Sequence, residues 1–133
     1  MNTTATETNN TPVILSRGVF ELLKDLIKSK KLSKFNEAKL EQELKSAKQV
    51  LKNELPADVV TIDRTVTITE LDSGVESTYH LVAPDKAKKK NNTLSIISLI
   101  GTALVGYPKG TELQWEMPEG LRTFRIEKVA ELA

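Results

Sequence analysis

At 133 residues the chain has room for one domain, or for one domain with a small appended element. Its 19 basic and 18 acidic residues nearly cancel, so total charge gives no bias toward nucleic acid or membrane. The absence of cysteine excludes disulfides, thiolate metal sites and thiol nucleophiles, and a single histidine, His80, argues against a His-rich metal centre or a Ser-His-Asp triad.

Taken in chain order, residues 1–13 are Thr- and Asn-rich and too poor in apolar groups to offset the cost of ordering, which predicts a disordered tail. They do not have the basic-then-apolar pattern of a secretory leader, and no apolar run approaches the roughly 20 residues that span a bilayer. The expected location is the cytoplasm, without membrane contact.

Ser16 is placed to cap a helix running to about Lys31, with Val19, Leu22, Leu23, Leu26 and Ile27 on one stripe. Asn36 is read as the cap of a second helix reaching about Glu54, in which Leu40, Leu44, Ala47 and Leu51 repeat at coiled-coil spacing. Two helices joined by a short link predict an antiparallel hairpin over residues 14–55, with arms roughly 23–27 Å long at the usual rise per residue.

Pro56 ends the helical half, and period-two alternation follows. Val66 and Ile68 alternate with Thr65, Thr67 and Thr69; Asp72-Ser73-Gly74 supplies turn residues; Val75–Val82 alternates again. A polar loop at 84–92 carries Lys86, Lys88, Lys89 and Lys90, where a solubilising role outweighs nucleic-acid contact because no aromatics are interleaved to stack bases. Residues 94–106 then form the centre of the design. They open as a short apolar strand, change to helical spacing through Leu99 or Ile100, Ala103 and Leu104, and close on Gly106 before Pro108. A second hairpin, Thr111–Met117 and Leu121–Val129, turns at Pro118-Glu119-Gly120. The fold class is α+β: a helical hairpin, read as a short coiled coil, followed by an antiparallel sheet with one short helix over residues 56–133.

Residues 56–129 resemble the C-terminal domain of the Gre-type bacterial transcription elongation factors, which has an FKBP-like fold. The family pattern is close to I-S-P-[LIV]-G-x-A-L-[LIV]-G, and here the chain reads Ile97-Ser98-Leu99-Ile100-Gly101-Thr102-Ala103-Leu104-Val105-Gly106. Leu99 replaces the family's proline, and Tyr107 stands where many members carry a basic residue. Pro56-Ala57-Asp58-Val59-Val60-Thr61, and Trp115 before Pro118-Glu119-Gly120, are similar to the short members called regulator of nucleoside diphosphate kinase.

The resemblance implies an RNA polymerase-binding role. Gre factors dock the C-terminal domain on the rim of the polymerase secondary channel and push the coiled coil inside. Two acidic residues at its tip help to hold a catalytic magnesium and stimulate cleavage of backtracked RNA. A hard dication needs such carboxylate oxygens. The link here, Ser29-Lys30-Lys31-Leu32-Ser33-Lys34-Phe35-Asn36, has none. A non-cleaving elongation regulator, monomeric and without cofactor or metal, is therefore expected. In it Ser98, Leu99, Gly101, Thr102 and Tyr107 are the candidate polymerase contacts on the sheet domain, and Lys28, Lys30, Lys31, Lys34 and Phe35 form the hairpin tip. Any RNA or DNA contact is expected to be indirect, through polymerase.

Other readings stay open at this stage. Glu37 and Glu41, four apart on one helix, are the acids a true cleavage stimulator would have to use, although a solvated helix face explains them. Phe35 is either an exposed docking aromatic or a staple against its own helix. Trp115, Tyr79, Tyr107 and Phe124 invite comparison with a prolyl isomerase pocket, although core packing explains Trp115 and Phe124 more simply. Tyr107 is the stronger candidate for an exposed contact, Ile100 and Leu104 for the core, and His80 for an exposed position.

Overall fold

The computed structural model describes residues 12–87 and 93–131. Residues 1–11 of the expected tail and Lys88, Lys89 and Lys90 lie outside these described residues; Val13, read as part of a disordered tail, is instead buried, its carbonyl accepting from the Lys48 amide at 2.9 Å. The elements run β1 (Ile14–Ser16), α1 (Arg17–Lys28), α2 (Lys34–Ser46), β2 (Lys48–Val50), β3 (Arg64–Glu70), β4 (Val75–Val82), β5 (Thr93–Ser95), α3 (Leu99–Leu104), β6 (Glu112–Met117) and β7 (Gly120–Glu131). No helix among the described residues is long and apolar enough to cross a membrane.

The main sheet has the order β5-β4-β3-β7-β6. Val66 and Ile68 point inward from β3, Leu113 and Trp115 from β6, Phe124 and Ile126 from β7, as the alternation requires. A register shift after Thr67 places a bulge opposite in β7, so Phe124 and Ile126 on one side of it and Val129 on the other all reach the core. The sheet is mixed rather than wholly antiparallel, because β5 pairs in parallel with β4 through His80–Thr93, Leu81–Leu94 and Val82–Ser95. Val59-Val60-Thr61, which matches the family in sequence, forms no strand. Val59 makes one bridge to Pro108, and Val60 exchanges backbone bonds with Tyr107 (2.9 Å) and Gly106 (2.8 Å).

Ser16 caps α1 as its sequence predicts, its hydroxyl accepting from the Val19 amide. The helix stops at Lys28, three residues early, because Lys30 takes a left-handed conformation (φ 60°) that cannot continue it. The expected cap at Asn36 is wrong. Ser33 caps α2, accepting from the Asn36 amide at 3.1 Å, and the Asn36 side chain is used elsewhere. Helix α2 also ends at Ser46 rather than near Glu54. Residues 48–50 leave it to pair in parallel with β1, an interaction extended by the Lys48 amide bonding to Val13. Leu51 falls outside the stripe and stands exposed. With 12 and 13 residues the helices are only about 18–20 Å long.

One core joins helices and sheet. Val19 and Leu23 of α1 and Leu40 of α2 share it with Val60, Val66, Leu104, Leu113 and Trp115. Gly106 shows how close the parts come. Its φ is +91°, and a Cβ there would lie 2.7 Å from Val13 Cβ and 2.8 Å from Leu15 Cδ2, so the strand before α1 sits directly on this glycine.

Candidate functional site

The central motif folds as its residue order demands. Ser98 caps α3, its hydroxyl accepting from the Gly101 amide at 3.1 Å. Gly101 is required by space, since a Cβ would stand 2.5 Å from the Ser95 carbonyl oxygen. Ala103 and Leu104 enter the core as the helical spacing predicts, Ile96 enters it from before the helix, and Ile100, expected in the core, is only half-buried.

Of the five sheet-domain candidates, the structure leaves Leu99 exposed and Ser98 half-exposed. Gly101 and Thr102 are buried. Tyr107, read as an exposed contact, is 1% exposed. The phenol turns inward because its hydroxyl has a partner there: Oη donates to Glu43 Oε2 at 2.5 Å. The same oxygen lies 2.5 Å from the Lys39 ammonium, which sits 5.4 Å from the Tyr107 ring centre and 5.9 Å from that of Trp115. Burial, with the Glu43 carboxylate in second place, pushes the Tyr107 hydroxyl well above its ordinary pKa, so it stays a neutral donor. Position 107 therefore fixes α2 to the domain instead of meeting a partner.

Asn36 is the second tie, and sequence reasoning missed it. Fully buried, it donates from Nδ2 to the Glu116 carbonyl (2.9 Å) and accepts at Oδ1 from the Glu116 amide (2.8 Å). Glu116 faces Leu121 in the β6–β7 register, and both of its backbone groups point away from β7. One amide side chain thus completes the outer edge of β6, as another strand would. The only signal in sequence was negative: a helix already capped at Ser33 leaves Asn36 without work.

The tip between the helices consists of Ser29–Ser33, with Lys34 and Phe35 in the first turn of α2. Lys28, Lys30, Lys31 and Lys34 are exposed, and Lys30 reaches Glu37 at 3.3 Å. Phe35 is 41% exposed rather than stapled; Leu32 is the tip residue that packs on the core. Glu37 is thus committed to Lys30, and no group of three or more His, Cys, Asp or Glu among the described residues could hold a metal ion. His80, expected to be exposed, is half-buried, with Nε2 enclosed and unpartnered among the described residues.

Among the described residues there are also surface grooves. One of about 240 Å³ lies on the sheet beside α3, floored by Ile68, Tyr79, Phe124, Met117 and Ile100, with Glu70 and Glu119 at its rim. A larger one of about 1000 Å³ runs between α1 and residues 51–64, past Leu22, Leu51, Leu55 and Ile62. Beside it the buried Arg64 guanidinium is tied to the carbonyls of Pro56 (2.7 Å) and Val59 (2.6 Å).

The chain is similar to known proteins in sequence and in overall fold. The family described as transcription elongation factor GreA/GreB, C-terminal, matches residues 55–131. The transcription elongation factor GreA of Azorhizobium caulinodans is 32% identical over 104 residues, 76% of this chain and 66% of that one. The regulator of nucleoside diphosphate kinase of Escherichia coli (strain K12) is 36% identical over 84 residues, 63% of this chain and 62% of that one. A solved structure, the prokaryotic transcription elongation factor GreA/GreB from Nitrosomonas europaea, superposes with a TM-score of 0.66 at 30% identity, covering 91% of this chain and 99% of that one. The chain spans between 44 and 66% of the length of the first of these curated relatives. With more than half of its residues inside the family match, and the same overall fold in a solved member, the chain belongs to the GreA/GreB family of transcription elongation factors.

Proposed function

We propose that this chain binds RNA polymerase at the rim of the secondary channel and regulates elongation without stimulating transcript cleavage. The observation that carries the second half is the composition of the tip. Ser29–Ser33 contains no carboxylate, and its charges are Lys30 and Lys31, with Lys28 and Lys34 on either side. An ammonium repels a dication that carboxylate oxygens would hold. Glu37, in the first turn of α2, is paired with Lys30, and Glu41 lies a further turn down α2. Helices of about 18–20 Å also give the tip little reach.

Docking rests on the sheet domain, the part that matches the family, which we read as FKBP-like. Leu99 and Ser98 form its exposed end, and the groove beside α3 offers an apolar floor of the kind that accepts a partner's side chain. Gly101, Thr102 and Tyr107 support this surface from beneath rather than touching a partner. The protein then acts by occupying the channel mouth against cleavage-promoting relatives. The test is competition: titrate the protein against a fluorescently labelled Gre factor bound to core RNA polymerase. Displacement supports the reading. No displacement and no binding of its own would remove the polymerase from this account.

A further inference from the structure

Asn36 sits two residues from the N-terminus of α2, close to the tip, yet its side chain is bonded to the sheet domain at both polar atoms. Nearer the other end of α2, Glu43 receives the Tyr107 hydroxyl. The helix is therefore held by polar bonds near both ends, and Asn36 is the polar hold nearest the exposed lysines, beside the non-directional packing of Leu32 on the core. Among the described residues, α1 adds no second clamp at this end: Ser29 bonds only within its own helix, and Lys30 only to Ile27 and to Glu37 of α2.

From this geometry we infer that Asn36 is the positioning residue of the tip. It fixes where Lys30, Lys31 and Lys34 stand relative to the β6–β7 turn, making tip and docking domain one rigid unit rather than an arm on a hinge. Buried amide-to-backbone bonds are directional, and each polar group left unpaired in a dry contact is costly. A leucine at this position would add burial without fixing orientation. The inference deepens the polymerase reading and its functional consequence rests on it, but its structural content does not.

The test uses the full chain, whose lack of cysteine permits clean labelling. Spin labels placed through Lys31→Cys and Glu119→Cys, both on exposed residues, report the distance from tip to β6–β7 turn by pulsed electron resonance. With Asn36 intact a single narrow distance distribution is expected; Asn36→Ala broadens it about twofold or more, a readout that general loss of stability in a still-folded protein would not move. Because Asn36→Ala leaves the Glu116 groups unpaired, Glu116→Pro serves as a second variant. It removes the outward amide and the side chain of Glu116 on an edge strand, a place where proline is tolerated, and leaves Asn36 bound through Nδ2 alone. In the polymerase assay, where suppression follows from displacement, Asn36→Ala is expected both to displace a labelled Gre factor and to suppress Gre-stimulated cleavage about tenfold less well than the unaltered protein. A broad distribution in the unaltered protein, or a narrow one unchanged in both variants, overturns the inference. So does full suppression by Asn36→Ala. Failure of the unaltered protein to displace the Gre factor would instead overturn the polymerase reading and leave the distance result standing.

Discussion

The helical hairpin and the five-stranded sheet share one core but are held in different ways. The sheet depends on repetition: Val66 and Ile68 of β3, Leu113 and Trp115 of β6, and Phe124 and Ile126 of β7 all face the core, so no single contact sets its register. The hairpin packs fewer apolar side chains and is oriented by a few points, namely Asn36 on Glu116, Tyr107 on Glu43, and the strand pair β1–β2 beside Gly106. The lesson is that burial supplies attraction in both regions, whereas in the hairpin a small number of polar and close-packed contacts supplies direction.

The largest test of that contrast is Gly106→Ala. The new Cβ would meet Val13 and Leu15 well inside contact distance, on a backbone with φ +91°. A loss of about 3 kcal/mol or more in urea unfolding is expected. A loss below about 1 kcal/mol would mean that β1 can move off the sheet at little cost and that the hairpin is not set there. Next comes a pair within one apparent stripe. Leu40→Ala should cost about 2–5 kcal/mol because its side chain is fully buried, while Leu51→Ala, 67% exposed, should stay within about 0.5 kcal/mol. Equal effects would restore the long coiled-coil seam that the spacing suggested.

The smallest of the expected losses is at Tyr107. Removing the hydroxyl in Tyr107→Phe should cost about 1–2 kcal/mol, because Glu43 keeps Lys39 but loses its buried donor. The pH dependence identifies the cause. In the unfolded chain the phenol ionises near its ordinary value of 10.0, while the native phenol holds its proton to higher pH. Above that value the native state binds the extra proton, so stability from this group is complete below pH 10 and falls as pH rises through 10 and beyond. Tyr107→Phe should show a shallower decline between about pH 9.5 and 11 in denaturation midpoints. Parallel curves would mean that the phenol is not held neutral by its site.

Much of the fold could be read in advance because periodicity reports burial. The β3–β4 and β6–β7 hairpins, the capped α1 and the strand-to-helix passage through Ser98 to Gly106 all follow from spacing and turn residues. What could not be read is choice among partners at long range. Residues 48–50 have no local reason to leave a helix; β1, more than thirty residues earlier, recruits them. Asn36 looks like a cap until Ser33 takes that role, and only the fold brings Glu116 to it. Tyr107 looks like a surface aromatic until Glu43 on another element faces it. The candidate site divides along the same line. The carboxylate-free tip is plain in the sequence, while the turning inward of Thr102 and Tyr107 depends on packing that no local pattern encodes.

The central claim is that a Gre-type domain here carries a tip unable to promote cleavage. It is tested most directly by adding the protein to stalled, backtracked RNA polymerase complexes with labelled transcripts, alone and together with an active Gre factor. The account predicts no shortening of RNA by the protein alone and a dose-dependent suppression of the shortening produced by the Gre factor. Metal-dependent shortening by the protein alone, lost on changing Glu37 and Glu41, would contradict it.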